Sequence, residues 1–388
     1  MGKNIKETLL GTLQNGKQVL KQNEVLRQLG KDNIYVGNRP DEVIRQLHPK
    51  KLSLIVTSIH EETKEAKCIR FASTTGYLPP FKAGQYINIF TVIDGVRTSR
   101  PYSISSSPCQ RGYYEITVAK IKTGFVSDYF LETVKVGDKF EANGPSGVFH
   151  YNPIAHKKKS IFLAGGSGIT PFLSMIREIL ETRADREVHL LYGCRNESMA
   201  IYHSLLTKFN EEYPNFNYHL IISDEQAEWS GEHGFIDAKL IQRLIGKLDD
   251  CTFYICGPQI MNDFCVNELK KLNIPNKAIR REMFGSRQDI QNEPGWPKEL
   301  KGDEIFNVKV GEEIIRARAS DSLLTSLEIA GVRINVCCRS GECSLCRVKL
   351  VSGQIFLTKG VLQRYADEKY GYIHSCKTYP ISDIEIIV

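Results

Sequence analysis

No stretch of this 388-residue chain approaches the ~20 consecutive apolar residues of a membrane-crossing helix, so no membrane span is expected. The N-terminus lacks the apolar core of a signal peptide, and Lys6 stands where a myristoylation motif carries Ser or Thr. No basic stripe interleaved with aromatics occurs. The net charge of +6 is spread along the chain, which argues against nucleic acid as a partner. Eleven cysteines show no regular pairing outside one C-terminal group, so a reducing cytoplasm is expected rather than secretion. What is present is an ordinary soluble composition, 41% hydrophobic and 25% charged, in a chain long enough for two or three domains.

The C-terminal group is Cys338, Cys343, Cys346 and Cys376, spaced C-x4-C-x2-C-x29-C. That spacing matches the thiolate set of a plant-type [2Fe–2S] cluster, with three ligands on one loop and the fourth on a later strand. Ser340, Gly341 and Ser344 are small, so backbone N–H groups can turn toward the sulfurs. The competing reading is zinc, which prefers two C-x2-C pairs. Cys337 lies outside the x4 spacing and reads as a spare thiol. From Phe306 to Val388 the chain resembles a plant-type ferredoxin domain: an opening strand pair, a helix at Ser322–Ala330, the cysteine loop, Gly353 in "VSGQI", and "YIHSCKTYPISDIEI". Between Lys301 and Val388 there are 12 Lys/Arg against 11 Asp/Glu, unlike the acidic surface of free-standing ferredoxins. A near-neutral surface fits a domain that docks on its own chain.

From Leu52 to Phe149, short strands broken by Gly, Pro and Ser predict an antiparallel barrel. It contains "TSRPYSISSSP", "GFVSDYF", "GPSGVFHY" and "FKAGQYINI". Together these resemble the flavin domain of the ferredoxin–NADP reductase superfamily. The resemblance implies that Arg100 clamps a flavin phosphate, Tyr102 lies on the isoalloxazine with Pro101 beside it, and Ser103 places a hydroxyl near N5. Gly124, Val126 and Ser127 would form a second anion site, with Ser127 as the helix N-cap. Two anion sites favour the pyrophosphate of FAD, with FMN the alternative.

An alternation of apolar strand and amphipathic helix follows, the pattern of a parallel α/β sheet. After the strand "SIFLA" comes Gly165-Gly166-Ser167-Gly168, which differs from G-x-G-x-x-G, and then Thr170, expected to cap a helix with Pro171 at its first position. This loop resembles the pyrophosphate loop of the same superfamily, with Gly166 and Thr170 as contacts. The strand ending "LIISDEQ" puts Ser223 and Asp224 where NADPH-using relatives carry an Arg. A carboxylate there repels a 2′-phosphate and accepts from a free 2′-hydroxyl, so Asp224 argues for NADH; a turn-forming Asp is the alternative. "TFYICGPQIMND" resembles the Cys-Gly-Pro motif, which implies that Cys256 sits by the nicotinamide C4 with Gly257 and Pro258 fixing the turn. Cys256 can also be read as a buried core thiol. "RREMFGS" supplies Glu282 and Phe284, similar to the Glu-x-Phe that closes the module near the flavin.

The expected fold is therefore multidomain. A helical extension at 1–50 precedes a flavin-binding β-barrel at 51–155 and a nicotinamide α/β domain at 156–285. A linker at 286–303 leads to a β-grasp ferredoxin domain at 304–388. Residues 1–50 read as two or three short helices packed on the flavin domain, with a partner-docking element as the alternative. The order resembles the reductase components of multicomponent oxygenases, such as the phenylacetyl-CoA oxygenase reductase, and hybrid-cluster-protein reductases. It implies transfer from NADH through flavin and [2Fe–2S] to a terminal redox enzyme or other electron-acceptor protein. Ser103, Cys256 and Glu282 would surround the hydride-transfer site. The alternatives are a stand-alone flavin reductase or diaphorase, or a redox-sensing regulatory subunit.

Overall fold

The computed structural model describes residues 16–28, 44, 47, 49–121, 124–152, 154–226, 228–283, 290–358, 361 and 363–388. Phe284 and the stretch around Ile5, Leu9 and Leu13 lie outside the described residues. The chain forms two compact units, Met1–Pro49 and Lys50–Val388. In the first, the expected helical segment is α1, Gly16–Gln28.

The second unit begins with six antiparallel strands: β1 (Leu52–Thr63), β2 (Ala66–Ser73), β3 (Tyr86–Ile93), β4 (Val96–Ser103), β5 (Tyr114–Ala119) and β6 (Lys139–Ser146). Their order is β4-β3-β6-β1-β2-β5, and a bridge between Ile104 and Ile116 ties the two edges into a barrel. Alternation builds it: Leu52, Leu54 and Val56 point inward, joining Ile69, Phe71, Ile87 and Ile89 in a dry core. Helix α2 (Val126–Glu132) closes one end through Phe130.

Next come six parallel strands: β7 (Lys159–Gly165), β8 (Glu187–Cys194), β9 (Phe216–Ile222), β10 (Glu232–His233), β11 (Cys251–Cys256) and β12 (Ile279–Glu282), in the order β10-β9-β8-β7-β11-β12. Every residue of β11 is buried, Thr252 included, as expected of a strand whose two faces are both covered by helices. Helices α3 (Ile169–Glu181) and α4 (His203–Glu212) pack on one face, α5 (Ala238–Ile245) and α6 (Gln259–Lys271) on the other.

The C-terminal portion holds β13 (Ile305–Val310), β14 (Glu313–Arg318), α7 (Leu323–Ile329), β15 (Arg347–Ser352), β16 (Ile355–Leu357), α8 (Tyr365–Lys369), β17 (Tyr372–His374), β18 (Thr378–Pro380) and β19 (Ile384–Ile387). Five strands make a mixed sheet, β14-β13-β19-β15-β17, grasping α7 through Leu323 and Leu327. Ser322 caps α7 by accepting from Thr325 N at 3.3 Å. Before this domain, the segment read as a linker is packed where it is described. Ile290 and Trp296 join Ala319 and Tyr379 in a small core, and the Trp296 indole meets the Phe356 ring edge-on at 5.3 Å. Two large apolar side chains outweigh the Pro/Gly composition that reads as a tether.

Candidate functional site

The parallel sheet brings two glycine-containing turns to its C-terminal edge. β7 and β11 are neighbours, with Ala164 opposite Cys256. The Gly165–Gly168 loop therefore lies against the Cys256–Pro258 turn, and a Cβ on Gly168 would collide with the Cys256 carbonyl. Gly166, at φ +52, faces open space, leaving a cradle that a backbone-contacting group can enter. Helix α3 begins two residues earlier than expected, because a 3-10 turn at Gly166–Gly168 leads into it and Gly168 is the cap. Thr170 lies inside the helix and donates its hydroxyl back to Ser167 O at 2.8 Å. Ser127 is likewise the second residue of α2 rather than its cap, which is Phe125. Its hydroxyl and the Asp128 carboxylate crowd the position that a Cβ on Gly124 would take.

Ser223 and Asp224 follow β9 at the same edge, with Asp224 N donating to Arg195 O at 3.0 Å. The Asp224 carboxylate accepts from Gln226 N at 3.1 Å, so the turn-forming geometry is present. Cys256 pairs in register with Glu282 across β11 and β12, and both are buried. Burial, with Glu282 next to it, pushes the Cys256 thiol well above its ordinary value. Burial, reinforced by Glu342 and Cys338, holds the Glu282 carboxyl well above the usual carboxylate range.

On β4, Thr98, Arg100 and Tyr102 alternate with the buried Ser99, Pro101 and Ser103. Tyr102 leans on Phe130 at 5.6 Å. The Arg100 guanidinium donates to Ser99 O and Thr98 Oγ1, each at 2.8 Å. Burial first, and Arg339 second, push it down to about 10, with Glu328 opposing them. The Ser99 hydroxyl on this strand is buried without a hydrogen-bond partner, as is Glu282 Oε2 on β12. A phosphate-bearing cofactor at this strand fits the Arg100 guanidinium, which can hold it bidentately.

The four predicted cysteines form two pairs. Cys338 Sγ accepts from Ser340 N and Cys343 N, both at 3.4 Å. Left-handed backbone at Arg339, Gly341 and Ser344 folds this loop. Cys338 is pulled down by the Cys343 thiol, and Cys346 by the Cys376 thiol, so each pair favours a thiolate. Ser375 holds the second pair by donating its hydroxyl to Cys346 O at 2.8 Å, and His374 Nδ1 lies 2.9 Å from Gly341 O. Among the described residues, no three His, Cys, Asp or Glu side chains stand close enough together to hold one ion. Two thiol pairs fit a two-iron centre. Cys337 is buried and points away, its Sγ 3.7 Å from the Tyr86 hydroxyl.

Three modules of known type cover most of this arrangement. Residues 53–151 match the oxidoreductase FAD-binding domain, 162–267 the oxidoreductase NAD-binding domain, and 307–380 the 2Fe-2S iron-sulfur cluster binding domain. NADH-cytochrome b5 reductase 1 of Dictyostelium discoideum is 32% identical over 50% of this chain and 68% of its own. The chain belongs to the ferredoxin–NADP reductase superfamily, with a C-terminal ferredoxin domain. The reductase also resembles the glycine betaine monooxygenase reductase of Chromohalobacter salexigens, at 27% identity over 84% of this chain and 92% of that one. Among solved structures, phthalate dioxygenase reductase covers 87% of this chain and 97% of its own, at 25% identity and a TM-score of 0.66. That protein is a modular structure for electron transfer from pyridine nucleotides to [2Fe-2S]. The reductase is thus a flavin iron–sulfur oxidoreductase with FAD-binding, NAD-binding and [2Fe–2S] domains. Among the described residues no helix is long and apolar enough to cross a membrane.

The sequence reading missed the seam between the barrel and the ferredoxin domain. Tyr86 and Asn88 of β3 and Thr98 of β4 meet Cys337, Val336, Glu328 and Arg339 there. Tyr86 and Asn88 lie in "FKAGQYINI", Thr98 opens "TSRPYSISSSP" and Arg339 sits in the cysteine loop, but those motifs point to cofactors and not to a contact between domains; the one further signal was Thr98 sharing a strand face with Arg100.

Proposed function

We propose that this reductase carries electrons from NADH to a separate terminal redox enzyme, as the reductase component of an oxygenase or a similar system. One observation carries the reading: the elements bearing the nicotinamide, flavin and cluster motifs converge. Ser103 pairs in register with Tyr86, and Tyr86 packs on Cys337 and Cys338. Glu282, beside Cys256, has Glu342 and Cys338 as its charged neighbours. When bound, a flavin accepts hydride and releases electrons singly, and a [2Fe–2S] cluster carries them one at a time.

The chain's own residues position and insulate. Arg100 would hold a flavin phosphate, Tyr102 the ring face and Ser103 the hydroxyl contact, while Gly124, Val126 and Ser127 would line the second anion site. Gly166, Thr170, Ser223, Asp224, Gly257 and Pro258 would seat the dinucleotide, with Asp224 favouring NADH through its carboxylate. Cys256 is buried, and in the neutral form its burial favours it excludes water from the hydride site without adding charge. Cys338, Cys343, Cys346 and Cys376 would hold the iron. All eleven cysteines are unpaired by disulfides, which supports a reducing cytoplasm. Anaerobic addition of NADH to purified protein tests the reading. The flavin absorbance should bleach first and the cluster absorbance next; a cluster that stays oxidised after flavin bleaching would refute the route.

A further inference from the structure

Thr98 sits two positions before Arg100 on β4 and therefore on the same face of the strand. Its buried hydroxyl makes three hydrogen bonds. It accepts from Arg100 Nη1 at 2.8 Å and from Arg339 Nη2 at 3.1 Å, and it donates to Glu328 Oε2 at 3.1 Å. One donor and two acceptor positions are all that a hydroxyl offers. Thr98 is saturated, and its partners come from two domains.

Glu328 projects from α7, and Arg339 follows the first cluster ligand. They form an ion pair whose side chains are only 10% and 7% exposed. Around it the seam is continuous: Asn88 Nδ2 donates to Val336 O at 3.1 Å, and Tyr86 packs on Cys337 and Cys338. Counting charge, two guanidiniums, Arg100 and Arg339, share one carboxylate, Glu328. The junction carries an unneutralised positive charge in a buried place, which is costly. A phosphate taken up by Arg100 supplies the missing anion and relieves repulsion between the two guanidiniums. It leaves Thr98 bonded to Glu328 and Arg339.

We propose that Thr98 is a positioning residue that couples occupancy of the flavin-phosphate site to docking of the ferredoxin domain. The coupling follows from the hydrogen bonds Thr98 shares between Arg100 and the Glu328–Arg339 pair. This rests on the flavin assignment of Arg100 and extends it. Coupling between sites is reciprocal, so flavin tightens the docked domain and docking tightens flavin.

Amide hydrogen exchange along α7, in full-length protein with and without FAD, reads the coupling without turnover. Adding FAD should slow exchange at Leu323–Ile329 by about tenfold in the wild type, a typical coupling factor. Thr98→Val should remove that response and Thr98→Ser should restore it, at unchanged iron content. If Thr98→Val loses its iron, the charge-neutral pair Glu328→Gln with Arg339→Gln serves in its place, and its α7 should no longer respond to FAD. An α7 that exchanges at one rate with and without FAD in the wild type overturns the proposal. So does a full response in Thr98→Val, or in the double variant where that one stands in. NADH bleaching of the same wild-type sample is scored separately, so failure of the electron route is distinguishable from failure of the coupling.

Discussion

Glu115 offers the sharpest test of what holds the hydride-transfer junction together. It lies on β5 of the barrel, 7% exposed, and accepts from Arg70 of β2 and from Arg177 of α3, each at 2.8 Å. The second bond crosses from the flavin domain to the nicotinamide domain, and Ser174 Oγ reinforces it by donating to Ser106 O at 2.7 Å. Removing one partner of a buried ion pair costs about 3–5 kcal/mol. Arg177 is 21% exposed and keeps a bond to Ser105 O at 3.1 Å, so Glu115→Ala belongs at the low end, about 3 kcal/mol. Glu115→Gln keeps the shape but loses the charge, and should cost about 2 kcal/mol. Arg70→Ala should cost only about 1 kcal/mol, because Arg70 is 37% exposed and screened by solvent. For domains of this size, 3 kcal/mol lowers the melting temperature by roughly 6–10 °C. Thermal unfolding followed by circular dichroism at two salt concentrations measures it, and a buried contact should show little salt dependence. Melting of Glu115→Gln at the wild-type temperature, or equal losses for Arg70→Ala and Glu115→Ala, would show that the carboxylate does not clamp the domains.

Other outcomes are expected in parallel. Cys337→Ser should keep about two irons per chain by metal analysis, whereas Cys338→Ser should lose them; loss in the former would misplace the ligand register. Asp224→Arg removes a repulsive carboxylate and offers a fork to a phosphate, so kcat/KM for NADPH should rise relative to NADH; a wild type that already prefers NADPH defeats that argument. His156 is contacted by Arg280 Nε at 3.2 Å and by the Tyr254 hydroxyl at 2.6 Å. Burial, then Arg280, lowers it to about 4 from its ordinary 6.5. Between those values the unfolded chain binds the extra proton, so stability should fall as pH drops from 6.5 toward 4. Denaturant midpoints across that range should flatten in His156→Gln.

Much of this molecule was legible in its residues, for reasons that differ by element. The barrel strands alternate because one face is wet, and β11 does not because both faces are covered. The cysteine spacing transmits directly, since Cys338, Cys343 and Cys346 share one loop, although Cys376 lies in a 3-10 turn between β17 and β18 and not on the expected strand. Helix starts were displaced by two residues at Ser127 and Thr170, because neighbouring residues continue the helical backbone before a side chain can cap it. Ile290 and Trp296 were hidden in a polar, Pro/Gly-rich stretch whose average composition masks two buried anchors. The seam was legible only as an expectation that the near-neutral C-terminal domain docks on its own chain: Thr98 and Arg339 are 241 positions apart, and nothing local pairs them.

The placement of β19 has a consequence for how the molecule is made. Ile384–Ile387 runs up the middle of the C-terminal sheet, parallel to β13 on one side and antiparallel to β15 on the other. The sheet cannot close until that segment has left the ribosome. The barrel and the parallel sheet are built from residues synthesised earlier and can form first, as domains generally do during translation. Cys338, Cys343 and Cys346 therefore wait on a growing chain without the sheet that fixes Cys376 beside them. A ribosome stalled before that strand would hold a complete nicotinamide module beside an unfinished C-terminal sheet.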